Sequence, residues 1–133
     1  MTTVFADTFY YLALVNPRDA NHSRAVEWTL GFSGRILTTA WVLAELGNAL
    51  SDPKHRDLFV GMVQDMKASE RASIVSADDD WFQRGFDLYA ARPDKAWSFV
   101  DCISFVVMEV NSIQEALTGD HHFEQAGFVA LFR

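Results

Sequence analysis

Short apolar runs that alternate with longer amphipathic segments are what most constrain the fold of this chain. Residues 4–7, Val-Phe-Ala-Asp, have the length of a buried strand, and 8–15 read as a helix that Pro17 terminates. A second helix starts at Asn21 or His22, runs to Leu30 and is stopped by Gly31 and Gly34. Residues 35–39 supply another strand. Thr39 is placed to cap a helix over 40–50, whose apolar positions 42, 43, 46, 49 and 50 recur at helical spacing. Ser51-Asp52-Pro53 breaks it, and 58–70 form the next helix, with Phe59, Met62, Val63 and Met66 on one face. Residues 72–75 are a strand, and 76–79 offer caps for a helix through Ala90 that ends before Pro93. Residues 99–110 are apolar almost all round, as in a buried central helix. Residues 116–118 and 128–132 give the last strands. Such alternation predicts an α/β fold with a parallel sheet, whose ligand sites lie beyond the carboxyl ends of the strands.

The bulk numbers agree with one folded domain over residues 1–133. Half the residues are apolar, and the length suffices to bury a core without staples. There is no repeat, low-complexity tract or linker-like shift in composition. The start of the chain lacks the basic region and unbroken apolar core of a signal peptide. No apolar stretch approaches the roughly 18 residues of a membrane span. The single Cys102 excludes an internal disulfide and fits a reducing compartment, so the cytoplasm is the expected location. A formal charge of −7 does not advertise nucleic-acid binding, which normally draws on Lys and Arg.

Four of the acids stand apart from the rest by position. Asp7 ends the first strand, Glu45 interrupts an apolar helix, Asp101 lies between Phe99-Val100 and Cys102-Ile103, and Asp120 follows Leu117-Thr118-Gly119. Each has an ordinary reading. Asp7 suits an N-cap, Glu45 a solvated helix flank, Asp101 the electropositive first turn of a helix, and Asp120 a turn. Together they occupy approaches to one face of a parallel sheet. Asp78-Asp79-Asp80, Glu70, Glu115 and Glu124 do not share that placement and read as surface. Four converging carboxylates repel one another unless a hard divalent cation or shared protons neutralise them.

The chain resembles the PIN-domain ribonucleases, including the VapC-type toxins of toxin–antitoxin pairs. The matching stretches are Val4-Phe5-Ala6-Asp7-Thr8 with Asp19, His22 and Ala25 downstream, and Thr38-Thr39 followed by Ala44-Glu45-Leu46. They continue with Asp94 to Cys102, then Leu117-Thr118-Gly119-Asp120-His121-His122-Phe123 and Gln125-Ala126-Gly127-Phe128. The resemblance implies a three-layer α/β/α fold with a mainly parallel central sheet. It also implies that Asp7, Glu45, Asp101 and Asp120 are the catalytic, metal-binding quartet, with Ser98 and Thr118 supporting the carboxylates through hydrogen bonds. Many relatives carry Ser or Asn two residues after the first acid, where this chain has Phe9.

Such a quartet suits Mg²⁺ or Mn²⁺, and neither a Cys pair nor an HExxH-type spacing points to zinc. The implied reaction is metal-assisted in-line attack of water on RNA, leaving 5′-phosphate and 3′-hydroxyl ends, without a covalent intermediate. The family further implies an antitoxin partner, which would need an exposed apolar groove near the site, and a homodimer. The alternative is a catalytically weak PIN-like protein-interaction module. A phosphatase with a covalent Asp nucleophile ranks below both, because Asp7-Thr8-Phe9 lacks the second acid of a DxD strand end. His121 and His122 read as one exposed and one structural residue, either of which could touch phosphate. His22 reads as a residue that orients a loop or helix, Lys54-His55-Arg56 as a solvated loop that could help bind RNA, and Cys102 as a buried small hydrophobe. The four tryptophans read as core or interface.

Overall fold

In the computed structural model, which describes residues 2–133, five strands and seven helices follow one another in α/β fashion. Strand β1 spans Thr3–Ala6 and is followed by α1, Thr8–Val15, and α2, His22–Gly31. Next come β2, Arg35–Thr39, then α3, Ala40–Ala49, and α4, Arg56–Ala68. Strand β3, Ala72–Val75, leads into α5, Asp79–Ala91, and α6, Phe99–Val110. The chain closes with β4, Glu115–Leu117, α7, His121–Gln125, and β5, Val129–Ala130.

All strand pairs are parallel, in the order β3-β2-β1-β4-β5. Strand β1 is central: Val4 pairs with Ile36 on one side and Phe5 with Ala116 on the other, so Val4, Phe5 and Ala6 are fully buried. The chain builds outward from β1 to β2 and β3, then crosses back to β4 and β5. With right-handed crossovers, α1 to α4 cover one face of the sheet and α5 to α7 the other. The helix contacts agree, since α1 packs on α2 and α3, and α5 packs along α6. This is the expected parallel α/β architecture, with the strand order reversing between β1 and β4. A crevice forms at such a reversal, beyond the carboxyl ends of the strands.

Local signals explain most boundaries. The Thr39 hydroxyl caps α3 by accepting from the Val42 amide, and the Asp78 carboxylate caps α5 by accepting from the Trp81 amide. Helix α6 opens on a capping box between Ser98 and Asp101. Three details differ from the sequence expectation. Helix α4 begins at Arg56, so the basic run partly enters it. The final strand shrinks to Val129–Ala130, and the turn expected at Asp120 is the start of α7. A five-residue helix is too short for periodicity to reveal.

Candidate active site

The sheet brings the four acids towards the crevice from four different elements. Asp7 leaves the carboxyl end of β1 and Asp120 follows that of β4, on either side of the strand-order reversal. Glu45 comes from the middle of α3 and Asp101 from the first turn of α6. Asp7 and Asp101 are buried, and Glu45 and Asp120 half-buried.

Each carboxylate has one oxygen fixed by a protein donor. The Thr118 hydroxyl donates to Asp7 Oδ2 (3.0 Å), and the Thr8 hydroxyl donates to Glu45 Oε1 (2.9 Å). The Ser98 amide donates to Asp101 Oδ2 (3.1 Å), and the His122 amide to Asp120 Oδ1 (2.9 Å). Fixing one oxygen sets the direction of the other, so four carboxylates present oriented acceptors without losing rotamer entropy on binding. Asp7 occupies the N-cap position of α1, yet its side chain makes no capping bond there. The capping reading therefore does not account for its burial.

Burial and neighbouring charge push two of these carboxyls, Asp7 and Asp101, towards their protonated form. Burial pushes the Asp7 carboxyl up to about 7, and the charge of Asp101 adds to this. Glu45 acts in the same direction, while the Thr118 hydroxyl and Thr8 amide oppose it. Burial likewise raises Asp101, reinforced by Asp120 and opposed by the Ser98 amide and by His122. A hard divalent cation would replace those protons, and an oxygen-rich donor set with one imidazole cluster beside it fits Mg²⁺ or Mn²⁺. Among the described residues, one group offers three ligand atoms within 4.8 Å of one another, Asp120, His121 and His122, and of the four acids only Asp120 belongs to it. His121 is exposed, whereas His122 turns its ring inward.

Thr8 is the partner that sequence reasoning left out, whereas His121 and His122 divide as expected into one exposed and one inward-facing residue. Thr8 follows the first acid directly, and a hydroxyl beside a site acid is a weak signal that only a fold can promote. Ser98 supports Asp101 through its backbone amide, while its hydroxyl accepts from the Asp101 amide. Phe9, standing where relatives carry a polar residue, stacks on Phe132 with ring centroids 6.1 Å apart and lies against Gly119. The remaining residues take the expected structural places. The His22 Nδ1–H donates to the Ala13 carbonyl (2.7 Å), which ties α2 to α1. Trp97 is buried with its indole N–H on Gln125, and Trp28, Trp41 and Trp81 pack partly buried against the core. Cys102 is buried, and burial pushes its thiol up to about 11, with Asp101 adding to the effect, which leaves it unreactive. Asp78, Asp79 and Asp80 are solvent-exposed.

Residues 4–129 match the PIN domain. The chain belongs to the PIN-domain family. It is 30% identical over 127 residues to the 23S rRNA-specific endonuclease VapC20 of Mycobacterium tuberculosis, with 95% of each chain covered. The crystal structure of that protein, described as a Sarcin-Ricin loop cleaving toxin, superposes with a TM-score of 0.86 at 26% identity, covering 96% of this chain and 98% of that one. FitAB bound to a DNA fragment shares the fold with a TM-score of 0.72 at 18% identity, covering 96% and 93%. The VapBC2 complex of Rickettsia felis, bound to a DNA fragment from its promoter, does so at 0.68 and 13%, covering 97% and 96%.

Proposed function

We propose that this protein is a metal-dependent endoribonuclease, the toxin of a toxin–antitoxin pair, acting as a single domain over residues 1–133. The observation that carries this reading is the set of four carboxylates at the strand-order reversal, each with one oxygen held by a protein donor. That arrangement stands in a chain 30% identical over 95% of its length to a 23S rRNA-specific endonuclease. A pure interaction module gains nothing from orienting four mutually repelling acids. An RNA loop of the kind cleaved by that relative is the proposed substrate. Recognition by shape rather than by surface charge suits a chain carrying net −7.

Asp7, Glu45, Asp101 and Asp120 would hold Mg²⁺ or Mn²⁺, which when bound lowers the pKa of water and neutralises charge on the phosphate. The protein's own part is orientation. Thr118, Thr8, the Ser98 amide and the His122 amide keep the carboxylates in place as phosphate enters. Burial of Asp7 and Asp101 strengthens every interaction inside the crevice by excluding water.

The antitoxin would occupy an apolar groove of about 570 Å³ bounded by Leu43, Phe59, Val60, Val63 and Ile74. Ala40 and Ser76, which also line it, directly follow β2 and β3, so the groove opens at the same sheet edge as the acids. Half-exposed Val60 on its wall is the kind of apolar surface a partner covers. A homodimer and a cytoplasmic location complete the proposal. Among the described residues no helix is long and apolar enough to cross a membrane.

The test is cleavage of labelled single-stranded RNA and of a 23S rRNA loop fragment with Mn²⁺ or Mg²⁺. Wild type should cleave only with metal, and folded Asp7→Asn and Asp101→Asn variants should not. A folded wild type inert on every RNA would turn the reading towards an interaction module.

A further inference from the structure

We propose that His122 is a positioning residue of the acidic site, its Nδ1–H wedged between Asp101 and Asp120 so as to set their spacing and direct their outer oxygens to one cation. This rests on the nuclease reading above and adds a residue to it. His122 Nδ1 lies 3.4 Å from Asp101 Oδ2 and 3.4 Å from Asp120 Oδ1. It is buried and has no hydrogen-bond partner of good geometry. An unpartnered buried ring nitrogen is costly, and one placed between two carboxylates is informative about its proton. A lone pair there would face two oxygens that each already accept from a backbone amide, so neither is placed to donate to it. A hydrogen on Nδ1 is attracted to both, whether the ring is neutral or charged.

The surroundings leave that hydrogen a specific task. Asp101 Oδ2 already accepts from the Ser98 amide, and Asp120 Oδ1 from the His122 amide. The ring thus meets the oxygen of each carboxylate that a backbone amide already holds, which leaves the outer oxygens, Asp101 Oδ1 and Asp120 Oδ2, for a cation. Asp101 lies in the first turn of α6 and Asp120 caps the start of α7, and His122 is the side chain that touches both. His121, its neighbour, is exposed and lies 3.6 Å from Asp120 only, so the two histidines are not interchangeable.

Three measurements on the full chain test this. Nitrogen-15 NMR of the metal-free protein should show a protonated Nδ1 on His122 that stays protonated at saturating Mg²⁺. Calorimetric titration with Mn²⁺ should show His122→Phe binding at least about tenfold more weakly than wild type. His122→Asn, whose carboxamide N–H falls near the place of Nδ1–H, should recover affinity to within about threefold of wild type. Should His122→Phe fail to fold, the NMR result and His122→Asn decide the matter. An unprotonated Nδ1, loss of its proton on adding Mg²⁺, a folded His122→Phe with wild-type affinity, or a His122→Asn as weak as the Phe variant would each overturn the assignment. Mn²⁺ binding indifferent to Asp7→Asn and Asp101→Asn would instead reject the acidic site itself, which separates the two failures.

Discussion

The Thr118 hydroxyl serves two of the site acids at once: it donates to Asp7 Oδ2 at 3.0 Å and accepts from the Asp120 amide at 3.1 Å. One fully buried side chain thereby locks the end of β4 to the end of β1 across the reversal of strand order. Thr118→Val keeps the shape and removes both bonds, leaving a buried carboxylate without its donor. We expect a loss of about 1–3 kcal/mol in urea denaturation. Mn²⁺ affinity by calorimetry should fall about 10–100-fold, the usual consequence of losing a hydrogen bond behind a ligand.

Ser98 provides the contrast. Its hydroxyl caps α6, but the bond to the Asp101 carboxylate comes from its backbone amide, which any residue retains. Ser98→Ala should therefore cost about 1 kcal/mol of stability, as loss of an N-cap does. Its Mn²⁺ affinity should stay within about threefold of wild type, far above that of Thr118→Val. Equal losses of affinity in the two variants would contradict this division of labour.

Why some of this was legible in the sequence and some not follows from the range of each interaction. Strands such as Arg35–Thr39 and helices such as Phe99–Val110 carry their own apolar periods and caps, and they stand where those signals put them. The four acids could be picked out because each adjoins an apolar run, a local property. The Thr8 bond to Glu45 spans 37 positions, and the ring of His122 reaches α6 from α7. No local pattern encodes such contacts, because they exist only once the sheet has set the register. Helix α7 escaped for the opposite reason, being too short to establish any period, and β5 falls inside the expected 128–132 strand but is only two residues long.

Gly119 sits between Thr118 and Asp120 with the Phe9 ring over its Cα. A Cβ there would lie 2.7 Å from Phe9 Cζ and 2.9 Å from Cε2. Phe9 cannot simply swing away, since it also stacks on Phe132. Gly119→Ala should destabilise the fold by about 1–3 kcal/mol through overpacking and weaken Mn²⁺ binding by disturbing both neighbours. Combining it with Phe9→Leu should restore part of each loss, and a double variant no better than the sum of the singles would show the clash to be elsewhere.

The stability of the metal-free protein should fall as pH rises from about 4 to about 7. The Asp7 carboxyl is held up to about 7 in the folded state, against 3.8 for the free group. Between those values the folded chain keeps a proton that the unfolded chain releases, so each step up in pH favours unfolding. Above about pH 7 both states have lost it and this contribution is flat. For one buried group the full swing is at most on the order of 4 kcal/mol, and the raised Asp101 acts in the same direction. Urea midpoints measured in EDTA at pH 5 to 8 should therefore decline, and Asp7→Asn should remove most of the slope. Adding Mg²⁺ at pH 8 should stabilise wild type, because the cation binds only the folded site, and should do little for Asp7→Asn. A wild-type midpoint that is level or rises across this interval would mean that Asp7 ionises freely, and that the carboxylates are not crowded as the geometry describes.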